Sequence, residues 1–164
     1  ISRFGRVCVE KKNGAIAFCI KPVDWPSEME PLVLVGTVMY SGLKTIVRYD
    51  EGRATRFHSL FPSASFDGIV AYYTRRYGAP TESLNRSIAP LASRRRTNPT
   101  TVWRSVDPVT KQVTALEIRK FDDTRGGFPD IERGAVMLYH QYSKPIFPQL
   151  SAVELMLLRP NEVL

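Results

Sequence analysis

His58, with Ser59 beside it and Asp67 a short way along the chain, is the one place where the sequence writes base, nucleophile and carboxylate close together. The chemistry would be that of a small hydrolase centred on His58. The strained turn that exposes a nucleophile is missing, however, and no GxSxG, GxGxxG, P-loop, HExxH or CxxC occurs anywhere in the chain. Catalysis is not expected. His140 is the only other histidine, and it alternates with Val136 and Leu138 as a partly buried strand residue does, leaving little material for a general base, a metal centre or any cofactor. A second group is acidic: Asp122, Asp123, Asp130 and Glu132 surround Gly126-Gly127 and offer the oxygen ligands that Ca²⁺ takes. Their spacing is not that of an EF-hand. Arg125 and Arg133 stand among them, so ion pairs within a turn are the expectation.

The basic residues are more sharply placed. The chain carries a net charge of +7, and residues 75–120, with ten Lys or Arg against Glu82, Asp107 and Glu117, account for all of it. The rest of the chain is neutral. Eight of those ten are arginine, whose planar fork suits carboxylate or phosphate better than lysine's point charge. Arg86, Arg94, Arg95, Arg96 and Arg104 are therefore the expected binding residues, for a protein or another anionic partner. Nucleic acid is the rival partner, and it would want aromatic platforms beside the arginines. Tyr72 is the one tyrosine expected to face outward there, and no RNP motif or zinc finger accompanies it.

Cys8 and Cys19 lie symmetrically about Asn13-Gly14, a strong hairpin signal. Pairing Lys12 with Ala15 sets the two cysteines opposite each other as a hydrogen-bonded pair, within reach of a disulfide. Val9, Ile16, Phe18 and Ile20 then share one face, and the cysteines fall on the other, more polar one. A disulfide would imply an oxidising compartment, such as a periplasm or the cell exterior.

These residues need elements to position them. Leu32–Tyr40 reads as a buried strand, Ser41-Gly42 as a turn, and Lys44–Tyr49 and Ala54–Phe61 as further strands. Phe66, Ile69, Val70, Tyr73 and Tyr77 form one stripe of a helix that Ser65 caps and Gly78 and Pro80 end. Residues 79–99 show no periodicity and read as a long irregular connection carrying Arg94, Arg95 and Arg96. Strands resume at Thr100–Val106, Gln112–Phe121 and Gly134–Tyr142. Near the end Ser151 and Glu154 make a capping box, Leu150 and Leu155 a hydrophobic staple, and a short helix runs to Arg159 before Pro160. The order predicts a single α+β domain over residues 1–164, a largely antiparallel sheet with two helices packed on one face.

At 164 residues and 43% hydrophobic, the chain is neither disordered by composition nor built around a membrane span, since no apolar run approaches about 18 residues. One core is expected. The helix ending in Tyr77-Gly78-Ala79-Pro80, followed by a variable loop and a strand holding Trp103, resembles a pattern of small bacterial exported and lipoprotein-like α+β domains. That resemblance spans residues 66–103 and implies an envelope setting and a noncatalytic role, with no functional residues to carry over. The first residue is Ile1, so an upstream signal or anchor removed from this chain fits the same expectation of an exported, periplasmic or envelope protein.

Overall fold

The computed structural model describes residues 8–33 and 43–158. Their elements are β1 (Cys8–Lys11), β2 (Ile16–Pro22), α1 (Glu30–Val33), β3 (Lys44–Asp50), β4 (Arg53–Pro62), α2 (Phe66–Tyr77), β5 (Glu82–Ile88), β6 (Arg96–Val106), β7 (Val113–Arg119), β8 (Arg133–His140) and α3 (Ala152–Leu157). The strands make one antiparallel sheet of eight in the order β1-β2-β3-β4-β8-β7-β6-β5. Two four-stranded meanders are thus joined edge to edge where β4 meets β8. Between them, α2 carries the chain from the middle of the sheet to its far border.

The first hairpin keeps the expected register, Cys8 opposite Cys19 and Lys11 opposite Ile16. Its turn is longer than the expected two residues, because Lys12, Asn13 and Gly14 all take positive φ, and the ladder closes at Lys11 and Ile16. This shifts the hydrogen-bond alternation by one. The cysteine Cα atoms are consequently 4.4 Å apart, the spacing of a non-hydrogen-bonded pair, and Cys8 and Cys19 form a disulfide.

The core has two layers, one on each face of the sheet. Along β4, Leu60 belongs to one cluster and Phe61 to the other, as the pleat requires. The first cluster joins Ile16, Phe18, Ile20, Ile46, Leu60, Ala135 and Met137 to Ile146, Phe147, Leu150 and Leu155 of the C-terminal segment. The second joins Phe61, Trp103, Ile118 and Val136 to Met29, Val33, Phe66 and Ile69. The two expected helices therefore do not share a face: α2 packs on one and α3 on the other. Ile16 through Ile20 are all buried, so the cysteine face is covered as well.

Arg48 pins the C-terminal segment down. Its guanidinium is almost wholly buried, lies 5.5 Å from the centre of the Phe18 ring and donates to Asp50 through Nε and Nη2. Nη1 donates to the Pro145 carbonyl at 2.7 Å and to Gln149 Oε1 at 2.8 Å. Ser151 and Glu154 form the expected capping box at the start of α3.

Other differences have physical causes. Leu32 and Val33, expected to open a strand, sit in the short helix α1; residues 34–42, with the Ser41-Gly42 turn, lie outside the described residues, as do Arg159 and Pro160. Ser65 does not cap α2, because a 3-10 turn over Ser63–Ser65 leads into the helix and holds Ser65 in helical φ and ψ. Gly78, at φ 84°, ends α2 as expected, and its carbonyl accepts from Trp103 Nε1 at 2.9 Å. Tyr77 proves exposed, stacked on Tyr73, whereas Tyr72 packs against the core. Residues 79–99 are not irregular. They hold all of β5 and the start of β6, a pair whose polar residues gave no alternation to read.

Two outcomes follow. Replacing Cys8 and Cys19 by serine removes a short covalent loop and lowers stability in urea by about 3 kcal/mol. At Gly134 a Cβ would collide with the Phe61 ring and with the Arg119 carbonyl of the next strand, so Gly134→Ala lowers stability by about 1–3 kcal/mol in the same measurement, although alanine suits strands better than glycine.

Candidate functional site: a basic end of the sheet

The structure divides the expected arginine set in two. Arg86 lies on β5, Arg94 and Arg95 are exposed in the turn after it, and Arg96 opens β6. Arg104 stands eight residues further along β6, roughly 26 Å away at the rise of a strand. Arg104 thus stands apart from the other four. Arg104 is also engaged already, its Nη1 lying 2.9 Å from Glu82 Oε2. Arg86 pairs with Asp123 at 3.2 Å, and Arg119 bridges Glu117 and Asp123.

What remains is a smaller group with no carboxylate of its own. Among the described residues Arg94, Arg95, Arg96 and Lys120 form no ion pair, and all four lie at the same end of β5, β6 and β7. Sequence reasoning had not singled out Lys120. Its backbone N–H donates to the Pro99 carbonyl, which draws it beside the turn, and both the Arg96 guanidinium (4.8 Å) and the Lys120 ammonium (5.6 Å) lie near the centre of the Phe121 ring. A ring face attracts a cation without neutralising it. Arg95 donates to Ser87 Oγ at 3.1 Å and so lies along β5. Asn98 supports the turn from beneath: its side chain donates to the Phe121 carbonyl and accepts from the Phe121 N–H, extending the sheet after β7 has ended.

The other candidates resolve differently. His58 is buried, but the pleat turns Ser59 to the opposite face, and Asp67 lies on α2, which packs on that opposite face too. The Ser59–His58–Asp67 set is not brought together. His58 Nε2 instead lies 3.1 Å from Thr124 Oγ1 and 3.4 Å from Asp122 Oδ1. Both oxygens meet the same ring nitrogen, whereas a triad needs its carboxylate and its nucleophile on different ones. His140 is half-buried beside Thr114.

The acidic loop is closed by arginine, with Arg125 donating to Asp122 and to Asp130, and Arg133 within 3.6 Å of Asp130. Among the described residues no three His, Cys, Asp or Glu are placed to hold a metal ion. Burial alone would raise the Asp122 carboxyl; hydrogen bonds from His58 and Thr124 and the charge of Arg125 outweigh it and hold the group well below the usual carboxylate range.

Hollows lined by described residues lie elsewhere, one of them an apolar pocket of about 170 Å³ beside Trp25, Phe57 and Val136. Under the C-terminal segment a cavity of about 200 Å³ is lined by Arg56, His58, Glu117, Tyr139 and Phe147. The Tyr139 hydroxyl there donates to Glu117, burial followed by the Glu117 charge pushes that phenol up to about 12, and the buried Arg56 Nε has no hydrogen-bond partner among the described residues. On the other face a groove of about 630 Å³ runs beside Tyr73, Tyr77, Trp103 and Leu138. Trp103 spends its single donor on Gly78, and Thr81, Arg104, Ser105 and Thr114 line the groove beside the aromatic rings.

The sequence matches no protein family, and neither a curated protein nor a solved structure resembles it closely enough to count as a match. The site must therefore be read from its own chemistry. Among the described residues no helix is long and apolar enough to cross a membrane.

The Asp122 carboxylate gives a pH dependence with a definite sign. Its folded pKa lies below the unfolded value of about 3.9, so its stabilisation is fully present above about pH 4 and is lost as pH falls through the folded value. Asp122→Asn lowers Tm at pH 7 and flattens the fall in Tm below pH 4. Thermal melts between pH 7 and pH 2 measure both effects, and parallel acid profiles for the two proteins would assign the acid sensitivity to other groups.

Proposed function

We propose that this chain is a noncatalytic binding domain of an oxidising compartment such as a bacterial envelope, and that it recognises an anionic partner with the basic end of its sheet. The observation that carries this reading is the group Arg94, Arg95, Arg96 and Lys120. Among the described residues these four form no ion pair and lie together at one end of the sheet, whereas Arg86, Arg104 and Arg119 of the same strands are each paired with a carboxylate. Like charges held together repel one another, and an external anion would relieve that repulsion. The Cys8–Cys19 disulfide supports the compartment, since such bonds persist where thiols are not kept reduced.

A protein segment suits the surface better than a nucleic acid. Phe121, the ring against which Arg96 and Lys120 lie, is buried beneath them and offers no open face for a base. The exposed Tyr77 leads into Gly78, which bonds Trp103 beside Arg104, toward the other end of β6.

Fluorescently labelled polyglutamate tests the reading. Binding is expected at low ionic strength, with a loss of about tenfold or more between 50 and 200 mM salt as exposed charges are screened. The triple variant Arg94→Ser, Arg95→Ser, Lys120→Ser should abolish it while leaving Tm unchanged. No binding at low salt, or binding untouched by the triple variant, removes the proposal. Tighter binding of a single-stranded oligonucleotide than of polyglutamate transfers the surface to nucleic acid.

A further inference from the structure

β5 is the outermost strand on its side of the sheet, and the direction of its backbone groups follows from its neighbour. In an antiparallel strand the N–H and C=O of one residue point to the same side. The Pro99 carbonyl accepts from the Lys120 N–H at 3.0 Å, so the backbone of Pro99 faces β7. Asn85, opposite Pro99 on the other side, therefore forms a non-hydrogen-bonded pair with it. Its N–H and C=O point away from the sheet. By the period of two the same holds for Ser83 and Ser87, and none of these backbone groups has a partner among the described residues.

Edges of this kind are usually blunted by proline, by a bulge or by an inward-pointing charge. One charge of β5, Arg86, turns inward to Asp123, but its backbone bonds β6 and leaves the outward row clear; the β5 sequence, ESLNRSI, contains no proline, and its pairing with β6 runs over seven residues without a register shift. Ser83, Leu84, Asn85 and Ser87 are exposed. The result is a straight, open row of donors and acceptors roughly 23 Å long.

Charge is distributed unevenly along this row. At the Glu82 end, the Glu82–Arg104 pair leaves the edge close to neutral. At the Ser87 end, Arg95 is already bonded to the Ser87 hydroxyl, and Arg94, Arg96 and Lys120 lie just beyond it. An extended segment laid along β5 would meet three outward-facing residues and then a concentration of positive charge.

We infer that β5 is a docking edge, on which an extended acidic segment of a partner protein adds as a further strand. Main-chain bonds to Ser83, Asn85 and Ser87 supply the shape requirement, and carboxylates toward the Ser87 end meet Arg94 and Arg95. The acidity of the segment rests on the anionic-partner reading above; the strand addition rests on the open ladder alone.

The probe is a blocked heptapeptide of alternating Glu and Val, compared with the same peptide N-methylated at every second residue. Methylation keeps the charge and removes the donors that face β5. On the protein side, Asn85→Pro deletes one outward donor without touching the β5–β6 ladder, because the Asn85 N–H takes no part in it. An unchanged Tm checks that the variant folds, and the methylated peptide tests the same bonds with the protein unaltered.

The unmodified peptide should bind and slow hydrogen exchange at the Ser83, Asn85 and Ser87 amides. Methylation and Asn85→Pro should each weaken it by about tenfold or more. Equal binding of both peptides, weakened only by Arg94→Ser and Arg95→Ser, overturns strand addition and leaves the anionic partner standing. Binding that ignores salt and those arginines but fails on methylation upholds strand addition and overturns the anionic reading. Concentration-dependent dimerisation of the free protein that Asn85→Pro abolishes assigns the edge to a second copy of this chain, and overturns the proposal.

Discussion

Burying Arg48 is the constraint around which the rest of the structure is arranged. A guanidinium taken out of water is tolerated only if its donors are met, and here Asp50, the Pro145 carbonyl and Gln149 meet them. Two of those acceptors belong to the segment after β8, so satisfying one side chain on β3 also fixes where the C-terminal part of the chain must lie. Once the segment is in place, Ile146, Phe147, Leu150 and Leu155 complete one hydrophobic layer. The opposite layer is closed by α1 and α2. The β5 border, by contrast, is left uncovered.

That division explains which parts of the fold could be read from sequence. The first hairpin was legible because Asn13-Gly14 specifies a turn locally and the cysteines follow from symmetry about it. The helix at Phe66–Tyr77 was legible because its apolar stripe is long and ends in Gly78. β5 was not, because an edge strand with most of its side chains in water has no reason to alternate. Nor could the sequence show that α2 and α3 lie on opposite faces. That depends on Arg48 reaching residues about a hundred positions away, and no local period records it.

The candidate site was half legible for a related reason. Net charge can be summed along a chain, so the basic stretch was visible, but ion pairing is a property of space. Asp123 neutralises Arg86 from the far side of two strands, and Glu82 neutralises Arg104 across one ladder. Setting these pairs aside leaves Arg94, Arg95 and Arg96 of the expected five, and the Pro99–Lys120 hydrogen bond brings Lys120 beside them. The pattern Tyr77-Gly78-Ala79-Pro80 followed by Trp103 has a local physical meaning: the tryptophan donates to the glycine carbonyl and fastens the end of α2 to β6.

The junction of β4 with β8 also bears on the order in which the chain can fold. β1 to β4 can pair with one another as soon as they are synthesised, whereas the outward groups of β4 find partners only when Arg133–His140 exists, about seventy residues later. During synthesis the first meander therefore presents an open border flanked by Leu60 and Phe61. Contacts that distant in sequence close slowly. The strand at the centre of the finished sheet is thus the one exposed for longest while the sheet is being made, and an unpaired border of that kind is where an incomplete chain is most prone to aggregate.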